Sequence, residues 1–159
     1  MRMIVLLVLG VIVAAIVYVR LAPHNTQAVH VQTEPRGAGD YPSEGGFMAV
    51  RQITAPPADV LQALTQVAMA TDRTEPLAGT VDDGMVTFVT RSKVMGFPDY
   101  TTVSIIPAQA VDNDGPLLVI NGRLRYGKSD LGVNKARIEG WLAALGPLTV
   151  PLDQDTSAQ

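Results

Sequence analysis

The segment Met85–Lys93, with the sequence MVTFVTRSK, is rich in β-branched and aromatic residues, and similar segments follow at Tyr100–Pro107 and Leu117–Arg125. Such runs, when bounded by turn-forming residues, are typical of β-strands. Asp112–Pro116, with the sequence DNDGP, is a strong turn signal between the last two segments. Three strands joined by short connections predict an antiparallel sheet.

Helices are predicted on either side of this group of strands. A strand at Phe47–Ile53 is followed by a helix that Pro56 and Pro57 can begin. Proline is tolerated in the first turn of a helix because the N–H groups of that turn form no hydrogen bond within the helix. The last helix is predicted to start with Ser129 or Asp130 as its cap and to end at Gly146. Apolar residues recur at helical spacing in both, at Val60, Leu61, Leu64, Val67 and Ala68, and at Leu131, Ile138, Trp141, Leu142 and Leu145.

This order of elements predicts an α+β fold with one small domain, in which an antiparallel sheet packs on two helices. The arrangement is similar to a helix-grip sheet, which wraps a long C-terminal helix and leaves room for a cavity between helix and sheet. We therefore expect any ligand pocket to lie between the last helix and the sheet.

A membrane anchor precedes the domain. The chain has 159 residues, is 47% hydrophobic and has a mean hydropathy of +0.21. Much of that hydropathy comes from Met3–Val19, 17 residues without a charged side chain between Arg2 and Arg20. As a helix this run reaches about 26 Å, close to the roughly 30 Å of a bilayer core. The run predicts a transmembrane helix over residues 1–20, with the lipid bilayer contacting residues 3–19.

A cleaved signal peptide is the alternative. The apolar run is longer than the usual hydrophobic region of a signal, and Arg20–Pro23 is a poor cleavage site. Arg2 and the terminal amine give a weak bias for a cytoplasmic N-terminus and an exported C-terminal domain. The sequence thus favours an uncleaved single-pass anchor.

The rest of the chain divides into a spacer at residues 21–46, a globular domain at 47–147 and a polar tail at 148–159. Pro23, Pro42 and a lack of apolar periodicity indicate an extended spacer. Both histidines, His24 and His30, fall in it and are interpreted as solvated linker residues, because a zinc site needs three or four convergent ligands.

Composition excludes several kinds of chemistry. The chain has no cysteine, two histidines, a net charge of −3 and a pI of about 5.2. No cofactor, metal or nucleic-acid partner is predicted, and a Ser-His-Asp triad is excluded because the predicted domain has no histidine. Gly122–Ser129 matches the Walker phosphate-loop pattern in form, but its first half continues a strand and no parallel βαβ unit surrounds it. Catalytic residues are therefore not assigned.

Polar and basic side chains nevertheless concentrate between residues 91 and 137. Arg123 and Arg125 share one face of a strand by its two-residue period. Arginine forks beside a helix start suit a carboxylate, a phosphate or a lipid headgroup. The alternative is a structural network in which arginines pair with Asp99 and Asp130. The candidate anion- or ligand-binding residues, equally a polar cluster, are Arg91, Asp99, Arg123, Arg125, Lys128, Ser129, Asp130, Asn134 and Arg137.

Three blocks carry a family resemblance: Thr90–Ser92, Gly96–Asp99 and the long block Arg123–Arg137. They resemble the signature blocks of domain-of-unknown-function family 1499 over about residues 47–146, and the anchor with its spacer is similar to bacterial members of that family. Tyr100 departs from the pattern, which implies an acidic or polar residue there. The resemblance implies an envelope protein with a compact domain, and it implies no reaction.

Three functions follow as expectations. The first is a non-enzymatic accessory or interaction module on the bacterial inner membrane, with its domain in the periplasm and an integral membrane protein or complex as a partner. The second is a domain that binds an apolar or anionic small molecule. The third is a hydrolase or transferase that uses arginine, aspartate and lysine alone.

Overall fold

The computed structural model describes residues 1–34, 36–110 and 114–152. Its centre is a six-stranded antiparallel sheet with the order β1-β2-β6-β5-β4-β3. The strands are β1 (Gly39–Ser43), β2 (Gly46–Gln52), β3 (Thr74–Thr80), β4 (Met85–Arg91), β5 (Pro98–Ile106) and β6 (Leu117–Leu124). The helices are α1 (Arg2–Leu21), α2 (Thr26–Val29), α3 (Pro57–Ala70) and α4 (Val133–Leu145). The predicted α+β class is confirmed.

Helices α3 and α4 cover one face of the sheet, which we call the helix face. Alternate residues of the strands point to it, and Phe88, Val103 and Ile120 pack there against Leu64 and Ile138 in the main core. Burial of this apolar surface at about 25 cal/mol per Å² is the main stabilising contribution to such a domain.

The space between α4 and the sheet is filled by side chains. Ile138 is fully buried, and Trp141 makes an edge-to-face contact with Phe88 at 5.9 Å between ring centroids. The Trp141 indole Nε1 donates to Thr71 Oγ1 at 2.8 Å. A Cβ on Gly122 would lie 3.0 Å from Ile138, so α4 lies directly on the backbone of β6. These side chains occupy the place where the sequence predicted a ligand pocket, which corrects that prediction.

Two edge strands extend beyond the predicted set. β1 lies inside the stretch interpreted as spacer and pairs along its length with β2, so the sheet begins at Gly39 and not at Phe47. β3 contains Pro76 and shifts register between Pro76 and Ala78. β1 likewise contains Pro42. Proline cannot donate to the ladder and is confined to edges and bulges, which fits the position of both strands at the edges of the sheet.

The last helix also starts later than expected. α4 begins at Val133, and Leu131 precedes it with a φ of 53° and 92% exposure. Leu131 is therefore not part of the buried stripe, which Ile138, Trp141 and Leu145 form without it.

The first helix projects away from the domain. α1 is long and apolar enough to cross a membrane or to act as a signal sequence, and none of its residues is buried. The predicted turn at 112–116 lies partly, and the predicted tail at 148–159 mostly, outside the described residues.

Candidate functional site

The sheet divides the predicted site residues between its two faces. Asp99, Asn134 and Arg137 meet on the helix face. Arg91, Arg123 and Arg125 lie on the opposite face, where their side chains contact the chain that follows the anchor. The sequence placed all nine residues in one cluster, whereas the fold separates these six between two faces and leaves Lys128 and Ser129 exposed in a loop.

Residues 22–34, which follow α1 and which we call the post-anchor segment, lie across this second face. Thr102 Oγ1 donates to the carbonyl oxygen of Val29 at 3.1 Å, and Asn121 Nδ2 donates to Thr33 Oγ1 at 3.0 Å. The His30 ring forms a hydrogen bond with Thr87 Oγ1 at 2.9 Å. Neither this histidine nor His24 is a solvated linker residue, because both are held against the sheet.

His24 is at the centre of the second-face contacts. Its Nε2 lies 3.2 Å from Arg91 Nη2 and its Nδ1 lies 2.9 Å from Tyr100 Oη. Arg125 Nη1 also lies 3.4 Å from Nδ1. A guanidinium can only donate, so Nε2 accepts from Arg91, and Nδ1 is shared between the Tyr100 hydroxyl and Arg125. Burial, with the positive charges of Arg91 and Arg125, lowers the pKa of His24. The neutral ring is thus the form that fits between the arginines.

The arginines of this face bind main-chain carbonyl oxygens. Arg125 donates to Ala22 at 3.3 Å and to Pro23 at 2.8 Å. Arg123 donates to Val29 by a short bond and to Thr102 Oγ1 at 3.4 Å. Burial lowers the pKa of Arg123, since it disfavours the charged form.

No carboxylate in the described part of the chain forms an ion pair with Arg91, Arg123 or Arg125. Arg91 donates instead to the carbonyl oxygen of Gly96 at 3.3 Å. Three partly buried cations without a counter-ion are an electrostatic arrangement that suits an anion.

A cleft of about 340 Å³ borders this arginine group at the end of α1. Arg20, Arg73 and Arg91 line it together with Glu75, Val89 and Gly96. The cleft brings basic residues from α1, from the start of β3 and from β4 to one place, which the linear sequence does not indicate.

The helix-face cluster is a buried polar network. Arg137 Nη2 pairs with Asp99 Oδ2 at 3.3 Å, and Arg137 Nη1 donates to Asn134 Oδ1 at 2.8 Å. Burial raises the pKa of Asp99 more than the charge of Arg137 lowers it. The pairing of Arg137 with Asp99 follows the structural alternative of the sequence analysis.

Asp130 holds the start of α4. Its carboxylate accepts from the backbone N–H groups of Asn134 at 2.8 Å and Gly132 at 3.1 Å. Burial alone would raise the pKa of Asp130, but these hydrogen bonds together lower it. Arg123 and Arg125 bond to the post-anchor segment, whereas Asp130 bonds to the start of α4.

Lys128 and Ser129 are exposed in the loop before α4, where Ser129 Oγ accepts from the N–H of Leu131 at 3.3 Å. Sequence reasoning missed the contributions of His24, Tyr100 and Thr102 to the second face. Tyr100 and Thr102 share a face of β5, so the two-residue period was a signal for that pair, whereas nothing local places His24 beside them.

Comparison with known proteins assigns the chain to a family. The family model described as "Protein of unknown function (DUF1499)" matches residues 19–145. The chain belongs to this family. The match begins at the end of α1, so the family domain includes the post-anchor segment with His24 and His30 as well as the sheet and helices.

No curated protein matches the chain. Among solved structures, it is similar to the X-ray crystal structure of protein MLL2253 from Mesorhizobium loti, at 14% identity and a TM-score of 0.44. That match covers 63% of this chain and 93% of the other.

Proposed function

We propose that this family member is a single-pass, membrane-anchored and non-enzymatic module of the bacterial envelope. Its domain faces the periplasm, where it acts as an accessory or interaction unit beside a membrane protein or complex. The observation that supports this most strongly is the docking of the post-anchor segment on the sheet, from Ala22 to Thr33. A domain fastened in this way stays at the bilayer surface and has no long tether.

The anchor has the dimensions that this role requires. α1 has 20 residues, which is about 30 Å of helix and matches a bilayer core. Arg2 and Arg20 stand at its two ends, where their side chains can extend to the headgroups. Ala22 is buried immediately after it, so the transition from lipid to folded domain takes one or two residues.

A labelling experiment tests the orientation. The chain has no cysteine, so a single Asp82→Cys substitution in an exposed turn gives a unique thiol. A membrane-impermeant maleimide should label it in cells with a permeabilised outer membrane, and a cytoplasmic control thiol should stay unlabelled. Labelling that requires lysis of the inner membrane would contradict the periplasmic location.

Mild detergent extraction tests the accessory role. We expect the full chain to migrate with a membrane protein partner on a sizing column and to be recovered with it after cross-linking. Migration of the chain alone under conditions that preserve other envelope complexes would count against this role.

A second candidate function is the binding of an anion at the arginine group. The specific observation in its favour is that Arg91, Arg123 and Arg125 donate to carbonyl oxygens and a histidine and to no carboxylate of the described residues. Added inorganic phosphate should raise the melting temperature of the full chain in detergent. The increase should disappear in Arg91→Gln and persist in Lys135→Gln, which removes an exposed cation on α4. Equal increases in both variants would contradict a site at Arg91.

A further inference from the structure

We infer that one end of the domain rests on the anionic surface of the bilayer that holds α1. This end, which we call the anchor-proximal end, consists of the β4–β5 loop at residues 92–97 and the β6–α4 loop at residues 125–132. The inference depends on the proposed insertion of α1, and it adds that the domain itself contacts lipid.

The depth of the β4–β5 loop is fixed by the last turn of the anchor. Arg20 donates to the carbonyl oxygens of Met95 and Val94, at 3.4 and 3.3 Å. A Cβ on Gly96 would lie 2.7 Å from Arg20 Nε, so the arginine packs directly on the loop backbone. The β4–β5 loop therefore lies at the same depth in the membrane interface as Arg20, within a few ångströms.

The β6–α4 loop lies at the same end of the sheet. β4 ends where Arg91 pairs with Pro98, and β6 ends where Leu124 pairs with Asp99. The rings of Phe97 and Tyr126 bring the loops together, with centroids 6.3 Å apart. Both loops therefore face the direction from which α1 enters.

Apolar side chains at this end are exposed, including Phe97 on the side of its ring that does not face Tyr126. Val94 is 79%, Leu131 92% and Phe97 38% exposed. Leu131 has a positive φ of 53°, which is uncommon for residues other than glycine and holds this side chain out from the loop. Exposed apolar and aromatic residues beside a membrane helix are typical of interfacial contacts, where rings sit at the level of the headgroups.

The charges at this end suit anionic lipid. Arg20, Lys93, Arg125 and Lys128 are basic, and Asp130 of the same two loops is bound to backbone N–H groups. Glu44 in the neighbouring β1–β2 turn adds one acidic residue, and the neighbouring α3–β3 loop adds Asp72 and Arg73, which pair with each other. Basic residues near an anionic surface are attracted to it, so this end favours phosphatidylglycerol-type headgroups.

Spin labels at single cysteines test this contact in the full chain. The substitutions are Val94→Cys and Leu131→Cys in the anchor-proximal loops, Asp82→Cys as an exposed control at the opposite end of the sheet, and Val11→Cys in the middle of α1. The chain is reconstituted in vesicles of phosphatidylcholine and phosphatidylglycerol. Collision rates are measured with oxygen, which concentrates in lipid, and with a nickel chelate, which stays in water.

We expect the labels at positions 94 and 131 to favour oxygen over the nickel chelate by several-fold relative to position 82. We also expect the preference to fall when phosphatidylcholine replaces phosphatidylglycerol. If the label at position 11 is in lipid while the labels at positions 94 and 131 behave like the label at position 82, the domain does not contact lipid but α1 is still a membrane anchor. If position 11 is also in water, the proposed membrane anchor fails and the inference fails with it. If the preference for oxygen is unchanged in vesicles of phosphatidylcholine alone, the basic residues do not contribute to the lipid contact.

Discussion

Arg125 and Pro23 are joined by a hydrogen bond of 2.8 Å across 102 residues of sequence, from the guanidinium Nη2 to the carbonyl oxygen. This contact ties the end of β6 to the chain that directly follows α1. Together with the bonds of His24 to Arg91 and Tyr100, it makes the post-anchor segment part of the domain.

Replacing Arg125 by Gln should loosen the post-anchor segment. The change removes the two charge-assisted donations to Ala22 and Pro23, and because the site is partly exposed we expect a loss of about 1 kcal/mol in unfolding free energy. Hydrogen exchange read by mass spectrometry should show faster exchange in the peptide that covers residues 22–34. In the matched control Lys135→Gln, that peptide should exchange at the rate of the unmodified chain.

Acidification should destabilise the same region through His24. Its pKa is lowered in the folded protein, so below the ordinary histidine pKa of about 6.5 the unfolded chain binds more protons than the folded one. The unfolding free energy should therefore fall as the pH drops through about 6.5 towards the folded pKa. Arg91, Arg125 and Tyr100 face the ring from β4, the end of β6 and β5.

In the variant His24→Gln, which keeps His30, the unfolding free energy should depend less steeply on pH over this window. Urea unfolding at each pH measures this dependence. A slope equal to that of the unmodified chain would show that the dependence has another origin.

The buried pair of Asp99 and Arg137 should be costly to break from one side. Arg137→Met leaves the Asp99 carboxyl without its cation, and we expect a loss of about 3 kcal/mol in unfolding free energy. Adding Asp99→Asn to that variant should restore part of the loss, because it removes the buried charge that burial already disfavours. A double variant no more stable than Arg137→Met alone would refute this account.

Asp130 should matter more than its neighbour Ser129. Asp130→Ala removes two hydrogen bonds to backbone N–H groups at the start of α4 and should cost about 1–3 kcal/mol. Ser129→Ala removes one exposed bond to Leu131 and should cost about 0.5 kcal/mol. Thermal melts of the two variants give the comparison, and equal melting temperatures would contradict the role given to Asp130.

The sequence predicts the elements that are rich in apolar and β-branched residues. β4, β5 and β6 lie close to their predicted bounds because nearly continuous buried runs end at turn-forming residues, and α3 begins at Pro57 with buried residues at helical spacing. β1 and β3 were missed because edge strands with Pro42 and Pro76 are stabilised by one neighbour and carry no such run.

The sequence predicted which residues are polar and clustered, but not that the sheet divides them between its two faces. The two-residue period places Arg123 and Arg125 together, and no local pattern shows that Arg137 approaches Asp99 from the other face. The role of His24 depends on contacts with residues more than 60 positions away, which only the folded chain provides.

The central claim is that the post-anchor segment is docked on the sheet. Two spin labels on the full chain in bilayers, at Gln27→Cys in α2 and Asp82→Cys in the β3–β4 turn, test it by a pulsed electron–electron distance measurement. Both positions are exposed, so the labels leave the docking contacts intact. A docked segment predicts one narrow distance distribution. A broad distribution, typical of a flexible tether, would contradict the claim.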